Sequence, residues 1–158
     1  MKSKLLHNYP ELLEKSILPF GIECDIGWYN LIEAVFSVAC QPLHDINWRM
    51  DMYEDDSEQL KSLHEQRKKE IQNLPSFVQI KEKFGTLRIY TDNINDSVAG
   101  AIMVAERLSA CICESCGSTG ERRSMRGWIS TSCRSCAIEK YSEKEVTEWE
   151  KEQDSSDV

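Results

Sequence analysis

The sequence predicts an α+β fold: helices packed on a small antiparallel hairpin sheet, with a compact cysteine-knuckled lobe near the C-terminus. Three observations predict it. Apolar residues recur at helical period between Trp28 and Ala39. Apolar and polar residues alternate on both sides of Phe84-Gly85. Two Cys-x2-Cys pairs then follow within one short stretch.

Taken in order, residues 10–18 (PELLEKSIL) predict a short helix with Pro10 in its first turn, where a missing N–H costs nothing. Pro19-Phe20-Gly21 is a turn. Trp28, Leu31, Ile32, Val35, Phe36 and Ala39 form one apolar helical face, and Pro42 is expected to end that helix. Residues 45–73 are a charged insertion: an acidic loop through Asp55 and Asp56, then a solvent-facing helix over 57–73 stopped by Leu74-Pro75. In the hairpin, Val78, Ile80, Leu87 and Ile89 are expected in the core, with Lys81, Lys83, Arg88 and Tyr90 on the solvent face. Asn93 to Asp96 turn the chain and cap a helix over 96–110 that buries Val98, Ile102, Ala105 and Leu108. After the cysteines, residues 138–158 carry eight acidic residues against three lysines. A helix through Tyr141–Trp149 is expected there, with a frayed end.

The domain organisation read from this is an α+β core over 1–110 (with 45–73 as its insertion), a ribbon over 111–137 and an acidic helix or tail over 138–158. The chain has 158 residues, 41% hydrophobic and 29% charged, with a net charge of -8. That is a globular composition with material for one modest core. A uniformly acidic protein is repelled by nucleic acid and anionic lipid, so a nucleic-acid role needs a local basic patch. No apolar run approaches the roughly 18 residues that span a bilayer, and the first residues break into Tyr-Pro-Glu before any signal-like stretch forms. We expect a cytoplasmic protein with no membrane association. Seven cysteines in a reducing compartment argue against a disulfide framework, and an odd number cannot pair completely within one chain.

Cys113-x2-Cys116 and Cys133-x2-Cys136 are separated by sixteen residues, 117–132. This spacing is that of a four-thiolate zinc site, each pair turning two sulfurs toward one point. Gly117 supplies the positive-φ residue that the first knuckle needs, and the intervening segment predicts a small hairpin. Four thiolates fill every position of a tetrahedral ion, so the Zn²⁺ is expected to be structural. Cys24, Cys40 and Cys111 are left as small buried hydrophobes.

The blocks GWYNLIE, KEKFGTLRIYTD, CESCGSTG and RGWISTSC, in this order, resemble a family of small uncharacterised bacterial and phage proteins, over roughly residues 20–137. The resemblance implies the architecture and a bacterial or phage origin. It names no activity.

The sequence offers no catalytic set. His7, His44 and His64 stand at no metal-ligand spacing, no His-x-Glu precedes the cysteines, and no nucleophile elbow or phosphate-binding glycine loop occurs. No enzyme activity and no small-molecule substrate are expected. The expected function is a zinc-stabilised module that binds a protein partner, in the form of an inhibitor or immunity protein whose acidic surface blocks a basic nucleic-acid-handling enzyme. The alternative is nucleic-acid binding. The ribbon carries Arg122, Arg123, Arg126 and Arg134 beside Trp128, and the hairpin adds Lys81, Lys83 and Arg88. Against both stands a bland reading, in which Trp128 covers the zinc site and the arginines pair with the acidic tail.

Overall fold

The computed structural model describes residues 5, 7–16, 18, 21–53 and 57–156. In chain order they form α1 (Pro10–Lys15), β1 (Ile22–Glu23), a 3-10 turn (Ile26–Trp28), α2 (Tyr29–Met50), α3 (Glu58–Asn73), β2 (Ser76–Lys83), β3 (Thr86–Asp92), α4 (Asp96–Leu108), a second 3-10 turn (Ser109–Cys111), β4 (Glu121–Met125), β5 (Trp128–Ser132), α5 (Arg134–Lys140) and α6 (Glu143–Ser156). The fold is α+β, with a three-stranded sheet ordered β1-β2-β3 and a separate β4-β5 ribbon. Pro19 and Phe20 of the expected turn, and Glu54 to Asp56 of the acidic loop, lie outside the described residues.

Helix α2 overturns one expectation: it continues through Pro42 for eight more residues, to Met50. An interior proline costs about 3 kcal/mol through its missing N–H and its ring. The buried stripe of α2 does not stop there, however, because Cys40, Leu43 and Ile46 extend it. Burying a leucine or isoleucine side chain contributes about 1.5–3 kcal/mol each, enough to carry the helix past the proline. Residues 45–50 are therefore helix and not loop. Helix α3 begins where expected, the Ser57 hydroxyl accepting from the Leu60 amide at 3.1 Å.

The β2–β3 hairpin pairs Lys83 with Thr86 across Phe84-Gly85, whose φ angles of 53° and 76° make the tight turn that matches strand twist. Its core face differs from strict alternation. A bulge between Phe77 and Gln79 rotates Val78 out to a half-buried position and sends Phe77 inward. The Phe77 ring packs on Phe36 of α2 at 4.7 Å between centroids. β1, only two residues long, joins β2 in parallel and was not legible as a strand.

The outer edge of β3 is closed by side chains. The Leu87 amide donates to Ser109 Oγ at 2.8 Å and the Ile89 amide to Glu106 Oε1 at 2.9 Å, which removes the unpaired edge that invites aggregation. Ser109 is fully buried, and its hydroxyl donates to the Glu106 carbonyl at 2.6 Å. It also explains a second correction: the chain tightens after Leu108, so Ser109 takes the inward position and Leu108 is left 44% exposed. Ser109→Ala leaves a buried amide without an acceptor, so a loss of about 1–3 kcal/mol is expected. Urea unfolding should show it as a lower midpoint at unchanged slope. Asn95 caps α4 as expected, its Oδ1 accepting from the Val98 amide at 2.9 Å.

The C-terminal helix is longer than expected, and residues 157–158 of the expected frayed end lie outside the described residues. α6 runs to Ser156 and is anchored by Val146, which is fully buried in a small cluster with Met125 and Ala137 and with Tyr141 and Trp149 around it. The acidic segment thus packs on the ribbon.

Candidate metal centre

The first knuckle is set by backbone geometry. The Gly117 amide donates to the Cys113 carbonyl at 2.9 Å, the Cys113 amide to the Ser118 carbonyl at 2.7 Å, and Gly117 has φ 80°. The second knuckle forms where β5 runs into α5. Cys133 is the cap of that helix, and its sulfur accepts from the Cys136 amide at 3.4 Å. The hairpin between them brings the two knuckles together: Met125 pairs with Trp128 across Arg126-Gly127, both at positive φ.

As a result the sulfurs of Cys113, Cys116, Cys133 and Cys136 lie within 4.8 Å of one another and can hold one metal ion. The Cys116 and Cys133 sulfurs are 3.7 Å apart. Four sulfurs at about 2.3 Å from a tetrahedral ion stand about 3.8 Å from each other, so this spacing fits. Cys113 is buried and the other three are partly or fully exposed. Hydrogen bonds from the Ser118 hydroxyl and amide pull the Cys116 thiol down to about 6. Burial, then the neighbouring thiols, push Cys136 above the ordinary thiol range. All four bind as thiolates, so loading the site with a cation releases protons. Of the cysteines outside the cluster only Cys40 is buried. Cys24 is half-buried, and Cys111 is exposed on the second 3-10 turn, donating its thiol to the Leu108 carbonyl at 3.2 Å. The expectation of a buried Cys111 fails because that turn points it outward.

Sequence reading missed what seats the first knuckle. The Gly27 amide donates to the Glu114 carbonyl at 2.7 Å, the Asp25 amide to the Glu114 carboxylate at 3.2 Å, and the fully buried Trp28 reaches the Ile112 carbonyl through Nε1 at 2.7 Å. A methyl group on Gly27 would lie 2.2 Å from the Cys113 carbonyl oxygen. The signal was present as a glycine directly before a tryptophan, but nothing in one sequence says that a cysteine knuckle 86 residues later packs against it. From the other side, Thr131 Oγ1 donates to the Gly85 carbonyl at 2.5 Å and Arg122 Nε to the Phe84 carbonyl at 3.0 Å. The ribbon is pinned between the start of α2 and the tip of the β2–β3 hairpin.

The expected basic face does not assemble as one surface. Arg123 is 2% exposed, lying over the Trp149 ring at 4.7 Å and pairing with Glu150 at 3.5 Å and Glu121 at 3.3 Å. Arg126 pairs with Glu145 at 2.8 Å, and Arg134 with Glu150 at 3.4 Å. Arg88 pairs with Glu106 at 3.9 Å, beside Met103 and Arg107 and away from the ribbon. What the structure does bring together is Lys81, Lys83 and Trp128. With Glu82, Phe84, Gly127 and Ile129 they line a cleft of about 450 Å³ between the two hairpin tips. Trp128 is 59% exposed and sits at the turn end of β5, remote from Cys133, so it does not cover the metal centre.

No helix among the described residues is long and apolar enough to cross a membrane. No family model, curated protein or solved structure matches the chain, so the functional argument rests on this geometry.

Proposed function

We propose that the chain is a non-catalytic module, stabilised by one structural Zn²⁺, that binds a protein partner. The observation that carries the reading is the closed set of four thiols on a ribbon whose outer end presents the exposed Trp128 beside Phe84 of the neighbouring hairpin. Four thiolates leave no position for water or substrate, which supports a structural ion. A tetrahedral all-sulfur site suits zinc or an iron–sulfur cluster. Among the described residues the smaller lobe's buried apolar centre is Met125, Ala137 and Val146, with Ile138, Tyr141 and Trp149 packed against it, so a cross-link by metal adds stability to a small core.

Protein is favoured over nucleic acid because Arg123, Arg126 and Arg134 are occupied by Glu121, Glu145 and Glu150. The same pairs occupy carboxylates that an inhibitor of a basic enzyme would need. That narrower role loses Glu145 and Glu150 of α6, and we place the binding surface at the aromatic cleft instead.

Native mass spectrometry with elemental analysis on protein purified from a bacterial lysate tests the reading. One zinc per chain, no visible charge-transfer absorbance and a co-purifying protein are the expected result. Iron in place of zinc would overturn the metal assignment, and carried-over nucleic acid without protein would overturn the partner assignment.

A further inference from the structure

We infer that the cleft between the β2–β3 and β4–β5 turns receives an acidic segment of the partner chain, with one apolar or aromatic side chain seated between Phe84 and Trp128 and flanking carboxylates on Lys81 and Lys83. This rests on the protein-binding reading above and names the chemistry of its contact.

Two large rings face solvent at the rim of one cleft, Phe84 at 62% and Trp128 at 59% exposure, and neither belongs to a core cluster. Exposed tryptophan and phenylalanine held at fixed positions are the residues from which binding hot spots are built. Phe84 is also held against its own backbone preference. Its φ of 53° belongs to a position where glycine or asparagine is at ease, and a bulky side chain there is strained. The equivalent position of the other hairpin, Arg126, has a use for its side chain in the contact with Glu145. Among the described residues the Phe84 side chain joins no core cluster, and the Lys83 ammonium lies 5.5 Å from its ring. Strain kept at an exposed ring points to what the ring contacts.

The cleft is also rigid. Arg122 and Thr131 tie the Phe84 and Gly85 carbonyls to the ribbon. A side chain on Gly85 would meet Ser130 and Arg122 atoms at 3.2 and 3.3 Å, so the two turns are packed against each other. A partner segment therefore meets a preorganised surface and does not have to order it. Its lining carries two lysines against one carboxylate, Glu82, whose Oε1 is engaged by the Gly85 amide at 2.6 Å. Among the described residues Lys81 and Lys83 have no ion-pair partner, nor does the neighbouring Arg122. A single strand of nucleic acid would also find cations and rings here. It brings a phosphate at every step, however, whereas Glu82 lines the cleft itself and Glu145 stands beside Arg126 at the same ribbon turn. A peptide can change its charge along its length and avoid that repulsion.

The test uses the full, zinc-loaded chain and a 12-residue peptide with a central phenylalanine flanked by glutamate and aspartate, read by calorimetry and tryptophan fluorescence. A lysine-flanked version and a twelve-nucleotide oligothymidine serve as competitors. The acidic peptide is expected to bind, more weakly at high salt, and about tenfold or more weakly to each of Trp128→Ala, Lys83→Glu and Phe84→Asn. Phe84→Asn suits its φ, so its unfolding midpoint should equal or exceed that of the unmodified chain, which keeps loss of binding separate from loss of fold. Preference for the lysine peptide, or binding of oligothymidine with the acidic peptide excluded, would overturn the inference. If the unmodified and Trp128→Ala chains retain the same protein partner equally well, the cleft assignment fails and the protein-binding reading stands. If neither partner nor peptide binds, both fail.

Discussion

Replacing Cys113 with serine is expected to remove the metal and to melt the ribbon lobe while the helical core persists. Cys113 is the one fully buried ligand, and its own backbone holds the first knuckle: its carbonyl accepts from Gly117 and its amide donates to Ser118. A serine oxygen is a poor ligand for an ion chosen by soft thiolates, and three remaining cysteines cannot close a tetrahedron. Metal binding to a small thiolate lobe is also its folding energy, about 10–16 kcal/mol in isolated zinc-finger peptides at neutral pH. Losing a quarter of the ligands is therefore expected to cost more than the lobe's small apolar centre can supply. Elemental analysis should fall from one zinc per chain to a small fraction. Amide exchange should become fast over 112–135 and stay slow in α2 and β2. Cys111→Ser, two positions away and outside the sulfur cluster, should keep both metal and protection. A full zinc content in the Cys113→Ser chain would refute the ligand set. Acid works in the same direction. Ligands must be deprotonated to bind, and Cys136 holds its proton more tightly than an ordinary thiol, so zinc is expected to be released as pH falls and retained as it rises.

The sequence made much of this visible because its strongest signals are local. Cys-x2-Cys spacing, the two glycine turns and the helical stripe of α2 each act within a few residues, so spacing alone places them. What it hid is non-local. β1 has two residues and exists only because Ile22 and Glu23 lie beside Ile80 and Lys81. The bulge at Val78 is fixed by where Phe77 finds Phe36, and alternation cannot reveal it. Pro42 is read locally as a stop, yet Leu43 and Ile46 continue into the core. The arginines show the same division. As letters they look like a basic patch. Arg123 becomes a buried partner of Trp149 and Glu150 only when α6 folds back over the ribbon. The cleft needed both hairpins in place: Lys81 and Lys83 were singled out with Trp128, but Phe84 was read merely as part of a turn.

Gly27→Ala should be as damaging as a core truncation, although it adds only one carbon. The new Cβ would stand 2.2 Å from the Cys113 carbonyl oxygen, 2.4 Å from that of Glu114 and 2.5 Å from the Gly117 amide nitrogen. All three are backbone atoms of the metal knuckle, so no side chain can swing aside. Relief requires moving the knuckle by an ångström or more. That movement breaks the 2.7 Å bond from the Gly27 amide to Glu114 and strains the Trp28 contact to Ile112. Overpacking a tight site costs about 1–3 kcal/mol where side chains can yield, and more where only backbone is available. We therefore expect about 3 kcal/mol or more, a large part of the 5–15 kcal/mol that holds a typical domain folded. Because the displaced atoms carry the ligands, zinc affinity should fall together with the urea midpoint. Gly100→Ala is the control. Gly100 lies within α4 with nothing within 4 Å of an added carbon, so alanine there should stabilise by about 0.5–1 kcal/mol. If Gly27→Ala proved as harmless as Gly100→Ala, the knuckle would not rest on the start of α2. The coupling between core and metal lobe would then have to run through the Trp28–Ile112 bond and the hairpin contacts at Phe84 and Gly85.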